Sequence, residues 1–268
     1  MASESLSVLA VLLLLCGSAG LGMFIRPRLP AIHRERETIE LMQLTVGLMV
    51  TFAALVLGLL TASVKQQYST AAHDRQAYAL QLTQLDRCLR NYGPETEAAR
   101  VALQEYTAAV IVSTWPSEPP PAGVHYPDTS GMPRTGASPA LADLMNSIGV
   151  EISRMAPADG FHTRLAAMCL DRYRDVLLAR VNVIGDAQAE LLRPFFRILV
   201  FWLVVMFGCF GLLAPRHSLS MITIGLCAIL LSSVIFVNLD LGQPYGGYFS
   251  ISSATMRTAL QAMQSGGT

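Results

Sequence analysis

Four stretches of this 268-residue chain contain no Asp, Glu, Lys or Arg: residues 6–25, 41–64, 198–214 and 219–237. They hold 20, 24, 17 and 19 residues, and each falls in the range of roughly 17 to 25 apolar residues that carries a helix through the hydrocarbon core of a bilayer. In lipid the backbone must satisfy its own N–H and C=O groups, so a single span of this length is an α-helix. Charged residues make up only 14% of the chain, against roughly 25% in an average soluble protein. Together these features exclude a soluble enzyme and a disordered chain. The 19 basic and 19 acidic side chains balance, which leaves no cationic excess for nucleic acid. The lipid bilayer is the expected partner, and nucleic acid is not.

Residues 65–197 separate the second run from the third by 133 positions. The chain is therefore expected to be all-α, with four transmembrane helices and a helical extramembrane domain inserted between helices 2 and 3. A transmembrane hairpin occupies 1–64, with spans at 6–25 and 41–64, and the inserted domain occupies 65–197. A second hairpin covers 198–239, with spans at 198–214 and 219–237, and a terminal motif and tail cover 240–268. Residues 1–5 contain Glu4 but no Lys or Arg, so the first run reads as a retained span rather than a cleaved leader. Bulky Leu15 before Cys16 argues against lipid attachment at that cysteine.

The loop between the first two spans carries Arg26, Arg28, Arg34 and Arg36, and the loop between the last two carries Arg216. Short loops rich in Arg and Lys stay cytoplasmic, whereas a segment of 133 residues is too long for its 13 basic residues to count equally. This places the chain in the inner (cytoplasmic) membrane with both termini and the inserted domain periplasmic. Lys65, Arg193 and Arg197, near span ends on the other side, pull against that orientation. Cys88 and Cys169 are the two cysteines of the inserted domain, and an oxidising compartment permits a disulfide between them. Two reduced, buried thiols are the competing reading.

The inserted domain reads as helical. Tyr78, Leu82, Leu85 and Leu89 recur at helical spacing within 66–91, and Gly93 breaks the pattern. Pro94, Glu95 and Glu97 start a helix expected to reach Val112. Seven of the fourteen prolines fall in 113–139, a loop expected to be exposed or to contact a partner. Helices are expected again over 140–154 and from 159 toward 184, the latter with Phe161, Leu165, Met168 and Leu178 among its apolar positions; 186–192 then returns to the membrane.

His33, His73, His125, His162 and His217 are scattered singly, without the spaced Cys, His or carboxylate company of a metal site. Glu35, Glu37 and Glu40 read as a solvated charge run among the arginines. No catalytic residues, metal site or cofactor are expected, and the chain does not read as an enzyme. Two other features stand out. In the second span Gly47, Thr51, Ala54, Gly58 and Thr61 follow spacings of four, three, four and three, and Lys65 continues the same face. At 1.5 Å per residue this ribbon of small groups covers roughly 27 Å, close to the hydrocarbon thickness. It is either a helix-packing seam or, with copies arranged about an axis, a pore wall with the chain's only lysine at one mouth. The second feature is the exit of the fourth span, where Asp240 precedes Pro244, Tyr245, Gly246, Gly247, Tyr248, Phe249 and Ser252. Pro244 ends the helix, the glycines allow an unusual backbone path, and the aromatics suit the interface. Asp240 there either hydrogen-bonds backbone or an arginine, or coordinates an ion. A short helix over 253–263 capped by serine closes the chain.

The pattern Asp240, Pro244, Tyr245, Gly247, Phe249, Ile251 and Ser252, followed by Met256 and Leu260, resembles the closing signature of a bestrophin-like family of bacterial integral membrane proteins. Residues 47–64 followed by Leu89, Tyr92, Ala99, Leu103 and Tyr106 resemble the family's glycine-containing second span and the helices after it. The likeness covers about 41–262. It implies a relation to pentameric bestrophin anion channels, whose second span lines the pore, and so makes the small-residue ribbon a pore wall. The second span departs from those channels in lacking close-set aromatics, and no acidic calcium cluster is visible. Bestrophins also place the large domain in the cytoplasm, opposite to the arginine count here.

The expected function is a homo-oligomeric ion channel, anion-conducting along the second-span face. The alternative is a non-conducting envelope scaffold or sensor that recruits a partner through the Pro-rich loop and the inserted domain.

Overall fold

The computed structural model describes residues 2–28, 36–187, 192–215 and 217–266. The expectations placed on His33, Arg34, Glu35 and Arg216, on the side chains of Arg36 and Arg193, and on 188–191 lie outside the described residues. The architecture is all-helical: α1 (Ala2–Ile25), α2 (Arg36–Tyr92), α3 (Glu97–Thr114), α4 (Pro139–Ser153), α5 (Gly160–Ala187), α6 (Leu192–Leu213), α7 (Ser218–Leu241) and α8 (Ala254–Gln264), with single 3-10 turns at Arg26–Arg28 and Pro94–Thr96. Four of these helices, α1, α2, α6 and α7, are long and apolar enough to cross a membrane. The chain divides into two compact units, one of Met1–Gln67 with Ala189–Phe249 and the other of Tyr68–Gln188 with Ser250–Thr268.

The apolar run that ends at Val64 does not end its helix. α2 continues without a break for 57 residues to Tyr92, because nothing between Lys65 and Tyr92 is a glycine or proline. Gly93, at φ +129°, stops it in a conformation that other residues rarely adopt.

In the first unit α1 lies along α6 and α7. Its Leu15 and Ala19 pack with Leu60 of α2, Leu203 and Phe207 of α6 and Ile235 of α7. The α1–α6 crossing is close enough to involve backbone. A Cβ built on Gly22 would collide with Gly208 O and lie 2.9 Å from Leu212 N, and one on Gly211 would collide with Ala19 O and lie 2.8 Å from Ala19 C. Ser18 Oγ donates to Val204 O at 2.6 Å across the same crossing, and Arg26 Nη1 donates to Ala214 O at its end. Small residues on both helices let dispersion contacts replace the hydrophobic drive that lipid does not supply.

In the second unit Tyr78, Leu82, Leu85 and Leu89 are all buried, as their spacing requires. The Tyr78 and Tyr106 hydroxyls meet at 2.5 Å inside the core, and burial holds the Tyr106 phenol above its usual range. Cys88 of α2 and Cys169 of α5 are joined as a disulfide, with Cα atoms 5.5 Å apart. Asp159 starts α5 by accepting the His162 N–H at 2.7 Å, and that bond holds its carboxyl below the usual carboxylate range. Of the apolar positions anticipated on α5, Leu165 is buried while Phe161, Met168 and Leu178 face outward. The buried face runs instead through Leu165, Cys169, Tyr173, Val176 and Val183.

The Pro-rich segment is not a free loop along its first part. Trp115 Nε1 donates to Ile251 O at 2.7 Å, Arg257 reaches Glu118 Oε2 at 3.1 Å and Pro119 O at 2.8 Å, and Gln264 Nε2 donates to Ala122 O at 3.1 Å. Residues 115–122 are thus held by the chain's own tail. Ser253 at the start of α8 makes no side-chain cap. Its hydroxyl goes to Glu118 Oε2 instead, and Ser252 Oγ accepts the Ala254 N–H at 3.2 Å. Arg90 and Gln104 bind Met263 O near the other end of α8, at 3.4 and 3.3 Å, where cations and donors suit the negative end of the helix dipole.

Candidate functional site

The ribbon on α2 is built by helical spacing alone. Beside it Val46, Ala53, Leu60 and Val64 are buried, and Ala53, Leu60 and Val64 belong to the first unit's core. Gly47, Thr51, Ala54, Gly58 and Lys65 are exposed in the folded protomer, while Thr61 is half-buried. Nothing lies within 4 Å of a Cβ built on Gly47 or Gly58, so neither glycine serves close packing inside the protomer. A second exposed face lies beside the ribbon and consists of Leu44, Leu48, Leu55 and Leu59. The Thr51 hydroxyl donates to Gly47 O at 3.0 Å, which ties its hydrogen to the helix and leaves oxygen lone pairs outward.

Thr61 departs from the rest of the ribbon. Its Oγ1 donates to Leu57 O at 2.8 Å and accepts from Asn238 Nδ2 at 3.0 Å. Asn238 also donates to Val234 O at 2.9 Å, so Thr61 ties α2 to α7 within the protomer. Two residues on, Asp240 is fully buried. Its Oδ1 accepts the Tyr248 N–H at 2.7 Å and its Oδ2 the Phe249 N–H at 2.8 Å. Gln243 N–H donates to Asp240 O at 3.0 Å and Gly246 N–H to Gln243 O at 3.2 Å, which folds the chain back toward the carboxylate. Pro244 sits in that fold and Tyr245 is buried.

Gly247 is required here for space rather than for an unusual backbone angle. A Cβ would stand 2.5 Å from Asp240 Oδ1 and 2.6 Å from Cγ, and its φ does not lie in the left-handed region. The carboxylate therefore acts as the acceptor that closes a turn, with both oxygens committed to backbone. Ser252 does not join this turn; it serves the start of α8 in the other unit.

The family model described as a bestrophin-like domain matches residues 13–256. This chain belongs to the bestrophin-like family. Solved structures agree on the fold of this bestrophin-like protein. A crystal structure of a bacterial bestrophin homolog from Klebsiella pneumoniae, carrying a single substitution, aligns at 15% identity with a TM-score of 0.66 and covers 98% of this chain and 97% of that chain. Another variant of that homolog aligns at 14% identity and a TM-score of 0.64, covering 97% and 98%. A structure described only as a variant membrane protein aligns at 14% identity and a TM-score of 0.65, again covering 97% and 98%. No curated protein matches the chain by sequence. The match begins at residue 13, inside the first apolar run, and so reaches further toward the N-terminus than the motifs at 41–262 alone.

Two groups important to the bestrophin-like fold escape a reading by motif. Asn238 looks like one more polar residue at a span end, yet it links α7 to the ribbon. The small residues Ser18, Ala19, Gly22, Gly208 and Gly211 form a tighter seam than any on α2. Their signal is present in the sequence, since small residues three and four apart recur in both apolar runs.

Proposed function

We propose that this bestrophin-like protein is a homo-oligomeric ion channel of the inner membrane whose conducting path follows the small-residue face of α2. The observation that carries this reading is that Gly47, Thr51, Ala54 and Gly58 stay exposed in the folded protomer. They form a face distinct from the leucine face beside them. Leucines suit contact with lipid tails. A face of glycine and threonine is better served by water and ions, or by a sister helix, than by acyl chains. Family membership and the whole-chain likeness to a bestrophin homolog favour the aqueous use. Sister copies about an axis place the exposed Lys65 as a ring at one mouth, which favours anions.

Purified protein in planar bilayers is expected to conduct with anion preference under a salt gradient. The K65E variant is expected to move the reversal potential toward cation preference, to the point of inverting its sign. Silent bilayers at confirmed incorporation, or a reversal potential unmoved by K65E, would overturn this reading.

We further infer that the inserted domain, 65–197, faces the periplasm. The Arg-rich short loops support that side, and so does the Cys88–Cys169 disulfide, because such bonds persist in oxidising compartments. Free thiols remain at Cys16, Cys209 and Cys227. Protein denatured under alkylating conditions should therefore take up three maleimides before reduction and five after it. Five at the outset would contradict a periplasmic domain.

A further inference from the structure

We propose that the cavity between the end of α1 and the start of α7 binds the headgroup and first acyl carbons of an anionic glycerophospholipid. The cavity has a volume of about 390 Å³ and is lined by Met23, Phe24, His217, Ser218 and Met221, all within the first unit. Its position along the chain defines its depth. Met23 and Phe24 close the charge-free run that ends at residue 25, Met221 lies in the run that begins at 219, and Arg26 and Arg28 follow immediately. The walls therefore straddle the boundary between hydrocarbon and headgroups, with thioethers and a phenyl ring on one side and a hydroxyl and an imidazole on the other. An occupant with one apolar end and one polar end fits such walls.

The charge of that occupant follows from Arg28. Its guanidinium carbon stands 3.8 Å over the ring of Phe24, a lining residue, so a cation is held beside the cavity. Among the described residues one of its five N–H donors has a partner, Nη1 to Phe24 O at 3.0 Å. Stacking on the ring leaves the planar fork in the geometry that receives a phosphate diester. Arg26 is committed differently, to Ala214 O at the end of α6, and braces the adjoining helix. The start of α7 adds a second favourable field. His217 precedes it in extended conformation without a side-chain cap, and although the Ser220 N–H is taken by His217 O at 3.1 Å, the positive end of the dipole of a 24-residue helix lies beside the lining residues His217 and Ser218. A zwitterionic choline lipid would bring a second cation beside Arg28, whereas a glycerol headgroup would not. Basic pockets between spans recognise anionic headgroups on these terms.

The test uses full-length protein in detergent, titrated with 1-palmitoyl-2-oleoyl phosphatidylglycerol or with the phosphatidylcholine of identical chains. Retained lipid is read by native mass spectrometry and the shift in unfolding temperature is followed in parallel. Phosphatidylglycerol is expected to bind about five-fold more tightly, the effect of one cation near the membrane surface. R28Q should remove the preference, and M221W, which fills the cavity from an exposed position, should reduce retention of both lipids. R197Q, which removes a cation near the opposite end of α6, should leave the preference intact. Equal affinity for the two lipids would overturn the proposal. So would equal losses in R28Q and R197Q, which mean annular attraction, or stabilisation by inorganic phosphate alone that matches the lipid. None of these readouts depends on conduction, so the cavity and the proposed channel fail or stand separately.

Discussion

Replacing Gly211 by alanine is expected to destabilise the protein severely, and replacing it by valine to leave no monodisperse protein after extraction. The atom that a Gly211 side chain would meet is the Ala19 carbonyl oxygen, with Ala19 C at 2.8 Å and Cα at 3.0 Å. Because these are backbone atoms, no rotamer change relieves the collision, and α1 must move off α6. Separation loses the contacts of Leu15 and Ala19 with Leu203 and Phe207 and stretches the 2.6 Å bond from Ser18 to Val204 O. Overpacking a well-filled core typically costs about 1 to 3 kcal/mol, and a forced helix separation belongs at or above the top of that range. G22A should behave similarly, since its Cβ would collide with Gly208 O. The contrast lies on α2, where a Cβ at Gly47 or Gly58 meets nothing. There alanine is expected to stabilise the protomer by about 0.5 to 1 kcal/mol, through the helix preference of alanine over glycine. Thermal unfolding of the four alanine variants in detergent checks the sign of each effect. Size-exclusion chromatography with light scattering adds a second discrimination. If G47A or G58A breaks an oligomer apart, the α2 ribbon is a packing seam between copies and the pore reading fails.

That contrast explains what could be read ahead of the structure. The four apolar runs fall in α1, α2, α6 and α7 because bilayer thickness and backbone satisfaction leave one solution for such runs. The face of Tyr78, Leu82, Leu85 and Leu89 is buried because a 3.6-residue period admits one core-facing stripe. Periodicity fails where several apolar stripes compete. α5 carries apolar residues around much of its circumference, and its buried side is the one that brings Cys169 to Cys88 and Tyr173 to Met145 O at 2.9 Å. Phe161, Met168 and Leu178 are left outside by that choice. The change of polarity after Val64 marks where the surroundings of α2 change, while the helix itself runs on to Tyr92; polarity sets the surroundings of a helix, not its length.

The ribbon itself is legible from spacing, but which of its residues remain exposed is not. Thr61 is drawn inward by Asn238, a residue 177 positions away, and no local pattern encodes that pairing. The first part of the Pro-rich segment is engaged for the same kind of reason. Prolines forbid a regular element there, while the partners that hold 115–122, Ile251, Arg257 and Gln264, come from the end of the chain. This engagement removes part of the surface that a scaffold reading would assign to a partner protein.

Asp240 carries the second large effect. Its carboxylate is fully buried and accepts two backbone N–H groups, so D240A leaves both amides without their acceptor. A hydrogen bond to a charged group is worth about 1.5 to 3 kcal/mol. Tyr248 and Phe249 are themselves exposed on the protomer, so the turn is not sealed inside it, and a total loss of about 2 to 4 kcal/mol is expected. D240N should fall between wild type and D240A, because one amide keeps a carbonyl acceptor while the other faces an NH2 group. G247A tests the same turn from its other side. With the carboxylate in place its Cβ is 2.5 Å from Asp240 Oδ1, and the variant should be destabilised by at least about 1 kcal/mol. In a D240A background the obstructing oxygens are gone, so G247A should cost much less. Groups that share one contact are non-additive in this way, by about 0.5 to 3 kcal/mol. The four proteins of this cycle, compared by unfolding temperature in detergent, distinguish a structural carboxylate from an ion ligand. Additive losses, or a D240N protein as stable as wild type whose conductance alone is altered, would assign Asp240 to the permeating ion instead of to the turn.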